Sequence, residues 1–544
     1  MKKFLAVALA MVFALTACVG GNGGGTGNNS EGSLAAVALG GEISGSITVS
    51  TFDSMLTGPF LEEAARLFMD QHPGTYITVE SFSSMPEIRA VEGGGGGGGA
   101  RMVNVAGGGI NPQERRDYIH FINTELMGGR GPDILAMDVL PFHRYARGGQ
   151  LVNLAPLMEQ DPSFNINDYR TNIFDALTMD TGLFMFPIDY NFNYITFDTR
   201  TASLPTGGTI THDQMFEAGR QARANMDEPL PVIAQQAGPR PGLFFDMFML
   251  NLPQFVDFEE RNANFNDGSF VQMLETILEH EAEELLIPRI TPGEGGGGMM
   301  RRLGAQSVFS QRASMQLLNE FHEGTGIMGA QARQMMGISE YDEIAGLLSN
   351  NAGDVPFTIG NAFGINSNTP NLALAWEFIK FLSSDAVSQT MRLRGLPTHI
   401  GAFEERAEMQ ITGELMGAVT FQFGGGGGGA VGGAVAGGGA GGGGGARMAG
   451  VSPEDMQAML DAFNEEREER EQSDGEITPE QATALAEYKA AVEHFTGLLN
   501  TFHFADSQLE DLVLNEVREF FDGNRSAQQV AETLQSRVTL FLNE

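Results

Sequence analysis

The first readable pattern along the chain is alternation. Ile47 and Val49 interleave with Thr48 and Ser50, the period of a half-buried strand in a unit opening near Ile43. Beyond the loop Thr51-Phe52-Asp53-Ser54 the period changes. Leu61, Ala64, Ala65 and Phe68 fall on one face of a helix behind Pro59, and Pro73-Gly74 stops it. Ile77 and Val79 restore the strand period. Strand, helix, strand predicts a βαβ unit, hence a parallel sheet with a right-handed crossover. Loops at the carboxyl ends of such strands line the ligand crevice, so Phe52-Asp53 is a candidate cleft wall; an ordinary solvated turn is the alternative.

The same reading continues through the middle. Asn111 to Met127 predicts a helix with Tyr118, Phe121, Ile122 and Leu126 on one side. Gly131-Pro132-Asp133-Ile134-Leu135 reads as a short buried strand entered through a proline turn. Gly148-Gly149 ends a helix and is followed by an extended exit through Leu151 to Leu154. Gly182 to Phe186 is an apolar run, broken by Pro187, that resumes as a strand through Phe197. Proline fixes φ and removes a ladder donor, so the chain is expected to leave one sheet there and enter another. Thr211 is a helix N-cap by type and position. Phe244, Phe245, Phe248 and Met249 share helical spacing and predict core rather than a ligand platform. Trp376, the only tryptophan, lies on an amphipathic helix with Phe378, Ile379 and Leu382 and is expected to be packed. Helices are predicted over Leu485–Leu499 and Leu509–Phe521, the latter stopped by Asp522-Gly523, and from Ser526 to the end.

Glycine interrupts this pattern at Gly93–Gly99, Gly107–Gly109, Gly295–Gly298 and Gly424–Gly445. Such runs satisfy a loose phosphate-loop search trivially, but no strand leads into them; they read as flexible loops. Pro453 to Gln472 then predicts a charged helix with the run Glu465–Glu471 and one apolar edge. It reads as a solvated helix resting on the body or as a docking arm for another protein.

The amino end is an address. Lys2 and Lys3 precede the apolar run Phe4–Leu15, too short to span a bilayer and laid out as a secretory signal. Leu15-Thr16-Ala17-Cys18 resembles a bacterial lipobox, in which the cysteine thiol accepts a diacylglyceryl group. Cys18 is the only cysteine, so it forms no intrachain disulfide and reads as a lipidation site. Residues 1–17 are expected to be removed and 18–42 to form a tether, leaving the protein exported and facing outside, held to the membrane by its lipid alone. With 32 Lys+Arg against 69 Asp+Glu the net charge is −37, which disfavours nucleic acid as a partner. Gly-x-Ser-x-Gly, His-Glu-x-x-His and Walker patterns are missing from the sequence, so no catalytic centre, metal or cofactor is expected.

The order of these elements resembles a known family. Gly131-Pro132-Asp133-Ile134, Gly149-x-Leu151-x-x-Leu154 and Gly182 through Pro187 into a strand resemble the extracellular solute-binding proteins (family 1, maltose-binding-like) of bacterial ABC importers. So do Ile365-Asn366, the Pro370-Asn371 turn, Ala375-Trp376-Glu377-Phe378-Ile379-Lys380-Phe381-Leu382, Gly395-Leu396-Pro397-Thr398 and the carboxyl-terminal helices. The resemblance excludes the glycine tracts and the acidic insert. It implies an α/β, two-lobed periplasmic-binding-protein-like fold with three crossings, near Ile188–Tyr194, Asp354–Ile359 and Leu393–Thr398. Lobe 1 would comprise 43–187 and 355–393, lobe 2 194–354, 398–423 and 479–544, with 424–478 inserted. It further implies a monomer that captures a small solute, a sugar by analogy, and offers it to ABC permease subunits. Carried over by position, Phe52, Asp53, Met137, Asp138, Asp189 and Asn191 would face the cleft. Where family members often carry Trp or Glu, this chain has Phe52, Met137 and Asn191. A surface scaffold without a transporter and a surface glycoside hydrolase using two carboxylates are the alternatives.

Overall fold

Two sheets divide the apolar positions between two cores. The computed structural model of the protein describes residues 43–53, 57–83, 112–227, 230–233, 239–286, 307–314, 317–321, 338, 341–388, 393, 395–412, 477–504 and 506–543. The signal peptide, Cys18, the tether, the four glycine tracts and the acidic helix of the insert lie outside the described residues. Among those described, no helix is long and apolar enough to cross a membrane.

The strands are β1 (Gly45–Thr51), β2 (Thr75–Ser81), β3 (Ile134–Ala136), β4 (Phe186–Asn191), β5 (Asn193–Asp198), β6 (Gly208–Ile210), β7 (Val256–Asp257), β8 (Asn262–Ala263), β9 (Phe309–Ala313), β10 (Asp342–Leu348), β11 (Pro356–Ile365), β12 (Leu396–Pro397) and β13 (Thr501–Phe502). A seven-stranded sheet runs β12-β4-β11-β3-β1-β2, with β13 beside β11. A four-stranded sheet runs β6-β10-β5-β9. β1 pairs in parallel with both β2 and β3, as the βαβ pattern requires. Its crossover is the helix Thr57–Gln71, which buries Leu61, Ala64, Ala65 and Phe68.

The first core lies under the seven-stranded sheet. Trp376 is fully buried on the helix Leu372–Leu382, and its Nε1–H donates to Asp161 Oδ2 at 2.8 Å. Burial pulls the Asp161 carboxyl upward, but the Lys380 ammonium, the Ser163 hydroxyl and N–H and, least, the Trp376 bond together bring it down to about 2. The second core gathers Ile195 and Phe197 of β5 with the helices His212–Arg223, Pro239–Leu250, Ser269–Ala282, Ser507–Phe521 and Ala527–Asn543. Thr211 caps the first of these in a reciprocal capping box with Gln214.

Pro187 does not mark the change of sheet. It is the second residue of β4 and stands opposite Ala362, where β11 bulges on either side of Asn361. The bulge lets the ladder tolerate a residue without an N–H. The sheets change at Phe192, between β4 and β5, and again between β10 and β11. The third link leaves β12, which pairs with Tyr190 and Asp189 of β4. The helix Ile400–Thr412 follows it and packs on the helix Pro479–Thr496. The chain then joins the second core at the helix Ser507–Phe521.

Candidate functional site

β1 and β3 are parallel neighbours, so the loops beyond their carboxyl ends meet. Asp138 ties them together. Its Oδ2 accepts from Thr51 Oγ1 at 3.1 Å and from the Asp53 N–H at 3.2 Å, and its Oδ1 accepts from the Val139 N–H at 3.1 Å. Phe52 turns inward, 2% exposed, against Tyr118 at 5.7 Å and Phe82 at 6.5 Å between ring centroids. Met137 lies over β11: a Cβ at Gly364 would come within 2.5 Å of its methyl and 3.0 Å of Phe184 O, so the Met137 side chain would have to shift to admit one.

Asp189 is completely buried on β4. Its Oδ2 accepts from Asn361 Nδ2 at 2.5 Å, and Asn361 Oδ1 accepts from Thr57 Oγ1 at 3.3 Å. The buried Arg406 guanidinium is near: desolvation lowers its pKa and the Asp189 carboxylate opposes that. Thr57, Asn361 and Asp189 thus bind three distant segments into one polar layer. Asn191, two residues on, has a different setting. Its Oδ1 accepts from Ser314 Oγ at 3.4 Å, and Ser314 also donates its N–H to Phe192 O at 2.8 Å.

Asn191 opens onto a cavity at the junction of the two sheets, about 210 Å³ in volume. Asn193, Gln311 and Thr358 give it a polar wall, and Phe245 and Met249 an apolar one. The apolar helix stretch thus splits: Phe244 and Phe248 are buried in the second core, while Phe245 and Met249 also face the cavity. Met249, Leu250, Pro356 and His503 are shared with a second cavity of about 310 Å³, so the two are neighbours. Phe142 and His143 line it from the segment after β3, Leu252 and Phe258 from the edge of the second core, and Phe502 and Phe504 from the segment around β13.

Rings dominate this second cavity. His143 stacks flat on Phe258 at 4.7 Å and meets Phe504 edge-on at 4.5 Å; Phe142 meets Phe504 at 4.9 Å. Both ring nitrogens of His143 and Nε2 of His503 are shielded from water without a hydrogen-bond partner among the described residues. Burial pushes the His143 imidazole down to about 3 and that of His503 down to about 4. Both are therefore neutral at ordinary pH. Around the cavity, arginines join segments distant in the chain. Arg144 Nη2 donates to Phe541 O at 2.8 Å, Arg147 donates to Phe258 O, and Arg115 pairs with Asp511 at 3.0 Å.

The sequence-derived residues therefore fall into three settings. Asp53 and Asp138 join at the strand ends, Asp189 lies in the buried polar layer, and Asn191 faces the cavity. Phe52 and Met137 pack inward. Pattern reading did not single out Asn361, His143, Phe258, His503 or Phe504. A usable signal was the alternation Phe502-His503-Phe504 just ahead of a helix.

No family model matches the sequence, and no curated protein matches it. Solved structures do match its fold. It is similar to an extracellular solute-binding protein of family 1 from Alicyclobacillus acidocaldarius, with TM-score 0.50, 13% identity, and 92% of this chain and 99% of that one covered. A periplasmic oligogalacturonide-binding protein from Yersinia enterocolitica gives TM-score 0.52 at 12% identity, covering 92% and 99%. UspC of M. tuberculosis gives 0.51 at 11%, covering 91% and 99%. At these identities the likeness is one of fold: the chain has the two-lobed architecture of periplasmic binding proteins.

Proposed function

From this two-lobed solute-binding fold, we propose that the protein captures a small solute between its lobes and presents it to the permease of an ABC importer. One observation carries the reading: the 210 Å³ cavity lies where the chain passes between sheets and is lined from both, by Asn191 and Thr358 on one side and Asn193 and Gln311 on the other. A solute there touches both lobes only when they close on it, so binding shifts the population toward the closed form. Asn191, at the end of β4, is the residue of the expected set best placed to meet it. A carbohydrate is the favoured class. In support, one similar structure is described as an oligogalacturonide-binding protein. The polar wall of Asn191, Asn193, Gln311 and Thr358 suits hydroxyl groups that both donate and accept. A monomer tethered through lipidated Cys18 completes the reading.

Thermal-shift screening of the mature protein against mono- and oligosaccharides tests it. A ligand at 100 times its Kd adds about 2.7 kcal/mol, a readable rise in melting temperature. No shift with any sugar, together with release of sugar from such substrates, would replace the reading with a hydrolase. Cys18→Ser should release the protein from membranes or leave it unprocessed; mature protein still in the membrane fraction would rule out the lipid anchor.

A further inference from the structure

Two carboxyl groups sit one helical turn apart where the second core meets the helix Pro112–Met127, and only one of them is equipped to carry charge. Asp506 caps the helix Ser507–Phe521: its Oδ1 accepts from the Gln508 N–H at 2.9 Å and the Leu509 N–H at 3.1 Å. Those donors suit a carboxylate. Glu510, one turn on, has nothing comparable. Its Oε1 is shielded from water without a hydrogen-bond partner among the described residues. The next residue, Asp511, pairs with Arg115 of the helix Pro112–Met127 at 3.0 Å. That helix packs on the first sheet through Tyr118, whose hydroxyl meets Ser50 of β1 at 3.1 Å, whereas Leu509 and Val513 belong to the second core. The contact therefore joins the two sides of the fold.

The charges around Glu510 come from several elements. Asp506 and Asp511 of its own helix end repel a second negative charge, and Arg115 attracts one. Arg144, from the helix Phe142–Arg147, acts on Asp506. The other charges packed on the helix lie further along it: Arg525 and Arg537 pair with Glu516, and Arg240 donates to the Phe521 carbonyl. Burial and the Asp506 carboxylate outweigh Arg115 and push the Glu510 carboxyl up to about 7.

We infer that Glu510 is a proton-operated latch between the helix Pro112–Met127 and the carboxyl-terminal helices: with the proton on it the two sides stay docked, and its loss weakens the docking. Opening hydrates the carboxyl and returns it toward about 4.3. The docked state therefore holds the proton more tightly. It is favoured in acid and weakens as pH rises from there through about 7. Buried imidazoles such as His143, if wetted by the same opening, pull the other way in acid. Glu510→Gln separates the two effects, because the imidazoles are common to both proteins and cancel in a ratio.

The mature-length chain carrying Cys18→Ser, Met127→Cys and Leu540→Cys takes two spin labels, since positions 127 and 540 are exposed. Pulsed dipolar spectroscopy then gives the docked and separated populations between pH 5.5 and 8, with no solute present. The separated-to-docked ratio of wild type at Glu510, divided by that of Glu510→Gln, is expected to grow roughly ten-fold across that range. Glu510→Met, uncharged in the same way, should reproduce the result and serves if the glutamine variant does not fold. A quotient independent of pH would overturn the latch. So would one unchanging distance at every pH in all three proteins. Neither result touches solute capture, which the thermal-shift screen tests separately.

Discussion

The polar layer at the strand ends and the ring-lined cavity lie in the same fold but are opposite in chemical state. In the first, polar groups bond to one another: Asp138 holds Thr51 and the Asp53 amide, and Asp189 holds Asn361. In the second, imidazole nitrogens are buried with nothing to bond among the described residues. The first set organises the strand ends; the second is held neutral by burial among rings. A carboxylate at a strand end invites a functional reading from sequence, yet those of this chain belong mainly to the first kind.

Mutations should separate the two regions. The largest effect is expected at Asp189. Asp189→Ala leaves the Asn361 amide without its acceptor and removes the buried negative charge that offsets desolvation of the Arg406 guanidinium, which should cost about 3–5 kcal/mol of stability. Chemical unfolding would read this as a lower midpoint. An Asp189→Ala protein of normal stability but poor affinity would move Asp189 from scaffold to ligand contact.

Acid should strike the cavity next. His143 and His503 have folded values of about 3 and 4 against roughly 6.5 when unfolded. The unfolded chain takes up their protons first, so their contribution is fully present above pH 6.5. It is lost progressively as pH falls from there toward 4 for His503 and toward 3 for His143. His212 and His280 in the second lobe, each pushed down to about 4 by burial, add to the same slope. Melting temperature should therefore drop over pH 6.5 to 4, and His143→Phe should flatten part of that drop. A His143→Phe profile parallel to wild type would show that this ring is not held neutral by the cavity.

The smallest effect is expected at Asp138. Its hydrogen bonds to Thr51 and the Asp53 amide join two loops but are only part-buried, so Asp138→Ala should cost about 1 kcal/mol. Solute affinity should change by less than about two-fold. A large affinity loss would place the β1–β3 loops in the binding surface after all.

The fold was largely legible in the sequence because it rests on local periodicity. The strand-helix-strand opening, the Trp376 helix, the Thr211 cap and the carboxyl-terminal helices each declare themselves within a dozen residues. Pro187 misled because its tolerance depends on a bulge in β11, some 170 residues away. The cavity was hidden for the same reason. His143, Phe258 and Phe504 are ordinary within their own segments, and only the tertiary fold stacks them. Asn361 sits in a strand whose apolar pattern says nothing of the carboxylate it meets on β4. Asp189 and Asn191 were picked out together, yet one is buried in the layer and the other opens on the cavity. Alternation alone does not assign the depth of each along the sheet.

The central claim is closure of two lobes on a solute, and small-angle scattering tests it most directly. On this account the free protein is expected to sample states in which Arg144, Arg147 and Arg115 have released their partners. Saturation with the tightest-binding sugar should lower the radius of gyration and bring the scattering curve onto that of the structure with those arginine contacts made. An unchanged radius of gyration at saturating ligand, with the free protein already as compact, would contradict closure and leave a rigid binding scaffold in its place.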